Sequence, residues 1–201
     1  MTARLIAFEG GEGSGKSTQA ARLAARLGAV LTREPGGTPL GERIRSVVLD
    51  PSVGSVDPRA EALLMAAARA QHVADVIAPA LARGDDVVTD RFIGSSLAYQ
   101  GFGHGLDLAE LATLSEWATA GRAADVNVLL AVPNEVAAER LQRPTDRMER
   151  LGKKFHRRVA EGFLTLAEGD PKRWVVVDGV GTIEQVEARV NAAYDAWCAT
   201  Q

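Results

Sequence analysis

Residues 10–17 read GGEGSGKS and connect the short apolar run 5–8 to a long segment with helical spacing. The stretch matches G-x-x-x-x-G-K-S/T, the phosphate-binding loop that joins a strand to a helix. Its glycines allow successive backbone N–H groups to turn towards an anion, and the helix that follows presents its N-terminus to the same anion. The motif therefore predicts a phosphate site formed by Gly10, Gly11, Glu12, Gly13, Ser14, Gly15, Lys16, Ser17 and Thr18.

Two side chains of this loop have roles that the motif itself assigns. Lys16 is predicted to reach the β and γ phosphates as a point charge, and Ser17 is predicted to ligate Mg²⁺. A glycine-rich turn without a ligand is the alternative, but the strand before it and the helix after it favour phosphate binding. Glu12 is unusual because a carboxylate inside an anion site is unfavourable. We expect it to face a sugar hydroxyl or the metal, with a solvent-facing side chain as the alternative.

Apolar segments along the rest of the chain alternate between strand-like and helix-like spacing. Buried strands are predicted at 5–8, 29–31, 87–88, 126–132 and 174–177. Helices are predicted at 17–27, 39–49, 58–81, 108–120, 135–141, 151–167 and 182–199. This alternation predicts an α/β fold with a parallel sheet of about five strands and helices on both faces, and the phosphate loop after the first strand makes it one of the P-loop NTPase type. Ligands of such sheets bind beyond the carboxyl ends of the strands.

The composition of the chain narrows the class of protein. A chain of 201 residues with 46% apolar residues and a net charge of −3 is expected to form one domain, residues 1–201, that does not bind nucleic acid. The single cysteine, Cys198, excludes an internal disulfide. No apolar run approaches the length of a membrane span, so a cytoplasmic protein without membrane partners is expected.

A second group of polar residues follows the predicted strand 87–88, in the order DRFIGSSLAYQG over residues 90–101. An aspartate at the end of this strand is suited to orient Mg²⁺, and the arginine beside it to clamp a phosphoryl group. A surface ion pair is the alternative. The hydroxyl, ring and amide groups that follow are suited to a sugar and a base. The candidates are Asp90, Arg91, Ser95, Ser96, Tyr99 and Gln100.

These segments together resemble a known family. Residues 90–101 resemble the signature segment of thymidylate kinases, residues 32–38 (TREPGGT) a second motif of the bacterial members, and residues 143–149 (RPTDRME) a third. With the phosphate loop, the motifs occur in family order over nearly the whole chain. The resemblance implies transfer of a phosphoryl group from ATP to dTMP, with Mg²⁺ as cofactor, in a homodimer whose interface helix 58–82 could supply.

The resemblance also implies roles for residues of the acceptor site. Arg33 and Pro35 match a turn near the acceptor phosphate, and Arg45 matches an arginine that reaches the nucleotide, although it could be a solvated helix residue. Tyr99 matches a tyrosine that lies against C2 of the sugar. Ser96, Gln100 and Arg69 match residues near the base, and Arg69 is implied to bond the thymine edge.

Three positions depart from the family pattern. Met65 stands where phenylalanine usually stacks on the base, and a thioether can also pack on an aromatic ring. A simple core role for Met65 is the alternative. Gly94 stands where relatives are often acidic. His104 stands where arginine is common and is left out of the site, since a lone loop histidine is more often incidental.

The segment 140–158 carries eight of the 23 basic residues of the chain. A solvated helix face is the simple interpretation, but Pro144 interrupts the helix and favours a lid over ATP at about residues 142–152. The resemblance implies a catalytic arginine in this lid, for which Arg147 is the first candidate. Arg143 is the second candidate and is expected to contact ATP.

The expected mechanism needs no strong general base, because the acceptor is already an anionic phosphate oxygen. Alignment and positive charge from Lys16, Arg91, the lid arginine and Mg²⁺ are expected to supply catalysis, with Glu12 beside them. A P-loop kinase of another nucleotide or of a nucleoside remains an alternative. A nucleotide-switched binding protein is a second one, although it would leave the acceptor-site residues unexplained.

Overall fold

The computed structural model describes residues 3–141 and 146–201. This part of the chain contains a sheet of five parallel strands in the order β2-β3-β1-β4-β5. The predicted α/β fold with a five-stranded parallel sheet is confirmed, with small shifts at the strand ends. The strands are Leu5–Glu9 (β1), Val30–Arg33 (β2), Val87–Asp90 (β3), Val126–Ala131 (β4) and Trp174–Asp178 (β5).

The helices follow the predicted segments closely. They are Lys16–Leu27 (α1), Pro39–Leu49 (α2), Pro58–His72 (α3), Ala78–Arg83 (α4), Ile93–Ser96 (α5), Leu108–Ala118 (α6), Asn134–Arg140 (α7), Lys153–Gly169 (α8) and Ile183–Cys198 (α9). Two π-helical segments, Val73–Ile77 and Leu97–Gly103, continue α3 and α5. The sequence pattern gives no helix over 93–103, because several glycines lower its helix propensity.

The sheet is buried on both faces, as the nearly continuous apolar strands predict. Alternate residues of β1 point to opposite sides. Phe8 joins a cluster with Leu23 of α1 and Val190 of α9, whereas Leu5 joins a cluster with Ile77. The helices therefore cover both faces of the sheet and leave the carboxyl edge of the strands open.

Two large apolar side chains remain exposed on helices that pack against each other. Leu63 of α3 is 58% exposed and Trp117 of α6 is 82% exposed. No helix within the described ranges is long and apolar enough to cross a bilayer.

Candidate active site

A cavity of about 650 Å³ opens at the carboxyl edge of the sheet. Its wall includes the segments that follow β1, β2 and β3. Of the predicted site residues, it contains Glu12, Gly13, Gly15, Lys16, Ser17, Thr18, Arg33, Pro35, Arg45, Met65, Arg69, Asp90, Arg91, Ser95, Ser96, Tyr99 and Gln100. Gly10, Gly11 and Ser14 belong to the phosphate loop but not to this wall. Arg143 lies outside the described residues.

The phosphate loop wraps around the lysine of its own motif. Gly13 has a φ of 72°, and a Cβ there would lie 2.3 Å from the carbonyl oxygen of Ala137, so only glycine fits. Lys16 Nζ donates to the carbonyl oxygen of Gly11 at 2.7 Å. Burial and the nearby charge of Arg91 lower the pKa of Lys16 to about 8. The free loop thus holds a poorly solvated cation that an anionic ligand would stabilise.

The metal candidates Ser17 and Asp90 are in direct contact. Ser17 Oγ donates to Asp90 Oδ2. Asp90 Oδ1 is buried and has no hydrogen-bond partner among the described residues. Oxygen ligands suit Mg²⁺, which usually takes few protein ligands and completes its shell with phosphate and water. The pair fits such an ion. Among the described residues, no group of three or more His, Cys, Asp or Glu side chains is arranged to hold a metal ion by itself.

Arg91 lines the cavity beside the phosphate loop, where it donates to the carbonyl oxygen of Gly10 at 3.0 Å. Its φ of 73° is in the left-handed region, which is unusual for a residue with a side chain. One guanidinium nitrogen donates to Ser95 Oγ at 2.9 Å, and the other donates to Glu12 and to the hydroxyl of Tyr99. Burial alone would lower the pKa of Arg91, but the carboxylates, chiefly Glu12, raise its pKa above the ordinary value. The Glu12 side chain therefore pairs with Arg91 and does not simply face solvent.

Arg69 lines the same cavity and is 3% exposed. The partner that its charge requires is Glu34, which accepts from Arg69 Nε at 2.7 Å. Arg69 also donates to Ser96 Oγ at 3.0 Å. The second oxygen of Glu34 lies 2.9 Å from Nδ1 of the buried His72. Sequence reasoning missed His72, whose signal was a polar residue within the apolar stretch 58–81.

Glu61 forms a second buried polar centre that the sequence did not indicate. It accepts from Gln100 Nε2 at 2.7 Å and from Arg147 Nη2. His104 Nε2 lies 3.2 Å from the same carboxylate. Burial would raise the pKa of Glu61, but contacts with His104, Arg147 and Gln100 outweigh burial and lower it. Glu61 is thus held as a carboxylate behind the wall that Gln100 forms.

Arg147, the first candidate for the lid arginine, is not among the residues that line the cavity. Its side chain is buried, with Nε donating to the carbonyl oxygen of Val48 at 2.7 Å and Nη2 to Glu61. Its backbone N–H donates to the carbonyl oxygen of Leu49 at 3.0 Å. These bonds direct the guanidinium towards Glu61 and hold Arg147, a residue of the predicted lid, against the C-terminal end of α2.

The structure shows the surroundings of Gly94 and Met65, two of the departures from the family pattern. A Cβ at Gly94 would lie 2.7 Å from Trp174 Cη2 and 2.8 Å from Glu9 Oε1, so an acidic side chain has no room. Glu9, which sequence reasoning also missed, accepts from Ser95 Oγ at 2.6 Å, and burial raises its pKa. Met65 lines the cavity while packing against the cluster of α2 and α3.

Comparisons with known proteins give a consistent result. The family model "Thymidylate kinase" matches residues 8–190. The chain is 47% identical over 195 residues to a thymidylate kinase of Deinococcus radiodurans, covering 94% of both chains. It is 48% identical over 186 residues to one of Pelotomaculum thermopropionicum, covering 89% of this chain and 86% of the relative. The crystal structure of thymidylate kinase from Ehrlichia chaffeensis is similar with a TM-score of 0.78 and 30% identity, covering 96% and 99% of the two chains.

Proposed function

The chain belongs to the thymidylate kinase family, whose members phosphorylate dTMP to dTDP with ATP, and we propose that its transfer takes place in the 650 Å³ cavity. One observation carries this assignment. The same cavity is lined by Lys16 and Arg91 and by the buried Arg69 with Ser96 and Gln100. Cationic groups suited to phosphate and polar groups suited to a base, in one cavity, fit a nucleotide acceptor facing a phosphoryl donor.

The phosphate loop is proposed to bind ATP. Its backbone N–H groups and Lys16 would hold the β and γ phosphates. A second cavity, of about 320 Å³, adjoins the loop and is lined by Gly13, Thr18, Arg140 and Gly179, among others. Its position next to the loop supports binding of the adenosine part of ATP there. Arg147 and Arg143 stay the two proposed candidates for the lid arginine.

The acceptor nucleotide is proposed to lie in this cavity, with its phosphate towards Arg91 and its base towards Arg69. Arg33 and Arg45 line the wall near the phosphate loop and supply positive charge for the monophosphate. Arg45 also donates to the carbonyl oxygen of Pro35 at 3.0 Å, which orients its guanidinium. Met65 and Arg69 are proposed to contact the thymine, and Tyr99 the sugar.

Phosphoryl transfer in this site requires alignment and charge stabilisation, not a base. The attacking group is a phosphate oxygen of dTMP, which carries negative charge before the reaction. Lys16 and Arg91 are proposed to stabilise the equatorial oxygens of the transferring group. Burial raises the pKa of Tyr99, so the hydroxyl beside Arg91 stays protonated and neutral.

Mg²⁺ is the proposed cofactor, held by Asp90 and Ser17. The unpartnered Asp90 Oδ1 and the adjoining Ser17 hydroxyl support this assignment. When bound with ATP, the ion neutralises negative charge on the β and γ phosphates.

A nucleoside kinase gains no support from this site. A nucleoside kinase needs a base near the sugar hydroxyl, for which Glu12 and Glu34 are the candidates. Glu34 uses one oxygen for Arg69 and the other for His72, and Glu12 pairs with Arg91. The comparisons likewise give no support to a switch protein.

ADP formation tests the proposal directly. The acceptors are dTMP, dUMP, ribo-TMP, dCMP and dGMP, with an acceptor-free control, all with Mg·ATP. A strong preference for dTMP is the expected result. Preference for another acceptor would overturn the base site, and ADP formation that ignores every acceptor would overturn the kinase assignment.

A homodimer is also proposed, with α3 and α6 at the interface. The exposed Leu63 and Trp117 on these adjoining helices support it, because large apolar side chains at 58% and 82% exposure favour contact with a second chain. The cytoplasm is the proposed location, and the single cysteine fits a reducing compartment.

A further inference from the structure

We propose that Glu61 is a positioning residue that fixes the orientation of the Gln100 amide, so that the base site selects nucleotides whose base carries an N3–H group. Glu61 is fully buried and lies behind the cavity wall, whereas Gln100 is part of that wall. The inference rests on the proposed function, because it concerns the base of the acceptor nucleotide.

The first step is that Glu61 can only accept hydrogen bonds. Arg147 Nη2 donates to one carboxylate oxygen, and His104 Nε2 lies 3.2 Å from the other. These contacts, with that from Gln100, lower the pKa of Glu61 despite its burial. The group is therefore a carboxylate at neutral pH, with no proton to donate.

The second step concerns the two ends of the Gln100 amide. One end donates through Nε2 and the other accepts through Oε1. Gln100 Nε2 lies 2.7 Å from Glu61 Oε1. The reverse orientation would bring two acceptors together in a buried place, which is strongly unfavourable. With the NH2 end directed at Glu61, the carbonyl oxygen is the acceptor that Gln100 retains for a ligand in the cavity.

The third step matches this polarity to a base. Arg69 offers guanidinium N–H donors and Gln100 offers an acceptor, on the same cavity wall. Thymine and uracil present the complement, a carbonyl oxygen at C4 beside N3–H. Cytosine presents an amino group at C4 and an unprotonated N3, so it would set donor against donor and acceptor against acceptor. Buried mismatches of this kind give strong discrimination between ligands.

The test compares acceptor preference in matched variants. Glu61→Gln/Arg147→Met replaces the buried ion pair by neutral groups, which leaves no unpaired charge of this pair, and residue 61 can then donate or accept. Arg147→Lys is the control, because it weakens the same ion pair while residue 61 remains a carboxylate. For each folded protein, checked by its melting curve, kcat and KM are measured with dTMP, dUMP and dCMP.

We expect the ratio of kcat/KM for dTMP to that for dCMP to fall by about 10- to 100-fold in the double variant. The ratio for dTMP to dUMP is expected to stay unchanged, since both bases carry N3–H, and Arg147→Lys is expected to keep both ratios. A general loss of packing would not change one ratio alone.

An unaltered dTMP:dCMP ratio in the double variant, or an equal loss in Arg147→Lys, would overturn the inference. A wild-type protein that does not phosphorylate dTMP would instead overturn the proposed function on which it rests.

Discussion

The guanidinium of Arg91 forms an ion pair with the carboxylate of Glu12, which brings the end of β3 against the phosphate loop that follows β1. The pair explains why an acidic residue is compatible with an anion-binding loop. Glu12 neutralises part of the positive charge of Arg91 and Lys16 while no phosphate is bound. It also holds the arginine in position, and such preorganised charge is an effective means of stabilising a transition state.

Removal of the Arg91 side chain should therefore impair the chemical step. Arg91→Ala is expected to lower kcat by about 10²- to 10⁴-fold, the range found for arginine fingers and oxyanion donors. Steady-state assays with saturating Mg·ATP and dTMP measure this change. The control is Arg26→Ala, because Arg26 lies on α1 and pairs with Asp195 away from the cavity. Near-normal turnover of Arg91→Ala would remove the residue from the mechanism.

Burial of Lys16 should give the free protein a characteristic dependence of stability on pH. The pKa of Lys16 falls from 10.5 to about 8, so between these values the unfolded chain binds more protons than the folded one. Unfolding free energy therefore gains a contribution that rises with pH across this window and totals about 3 kcal/mol, at about 1.4 kcal/mol per pKa unit.

Urea unfolding of wild type and Lys16→Met between neutral and strongly alkaline pH isolates this contribution. Without nucleotide, the variant is expected to be the more stable protein below pH 8, and its advantage is expected to shrink as the pH rises through 8 to 10.5. A stability difference that is independent of pH would contradict the burial of a charged lysine.

The close packing at Gly94 predicts that even one methyl group is harmful there. Gly94→Ala is expected to lower the free energy of unfolding by about 1–3 kcal/mol, as overpacking usually does. The reason is contact of the new Cβ with Trp174 and Glu9 at 2.7 and 2.8 Å.

Gly169→Ala is the matched control for this packing test. Gly169 is the last residue of α8, and a Cβ there would meet nothing within 4 Å. The control is expected to be neutral or slightly stabilising because alanine has the higher helix propensity. Equal stability of the two variants in urea unfolding would show that the space beside Gly94 adapts freely.

The exposed side chains of Leu63 on α3 and Trp117 on α6 predict that an acidic substitution there separates the proposed dimer. Trp117→Asp is expected to halve the mass measured by sedimentation velocity, because a buried charge at an apolar interface is unfavourable. Val176→Asp places the same charge on another exposed apolar residue, 53% exposed on β5, and is expected to leave the mass unchanged. A wild-type protein that sediments as a monomer would contradict the proposed dimer.

The order of strands and helices could be read from the chain because both signals are local. A run of apolar residues predicts a buried strand, and the glycines with Lys16 and Ser17 form a contiguous motif whose backbone geometry follows from residue type. The family motifs are also contiguous, so the acceptor-site residues after β2 and β3 were identified without coordinates, and the fold brings most of them to one cavity.

The partners of the buried charges depend on the tertiary structure. Glu61 and Arg147 are 86 positions apart, and Arg69 and Glu34 are 35 positions apart, so no local spacing relates them. The sequence predicts a lid from the arginine-rich segment, but only the packing against α2 shows that Arg147 lies beside Glu61. Burial makes an unpaired charge unfavourable, and only the packed chain determines which opposite charge lies within reach.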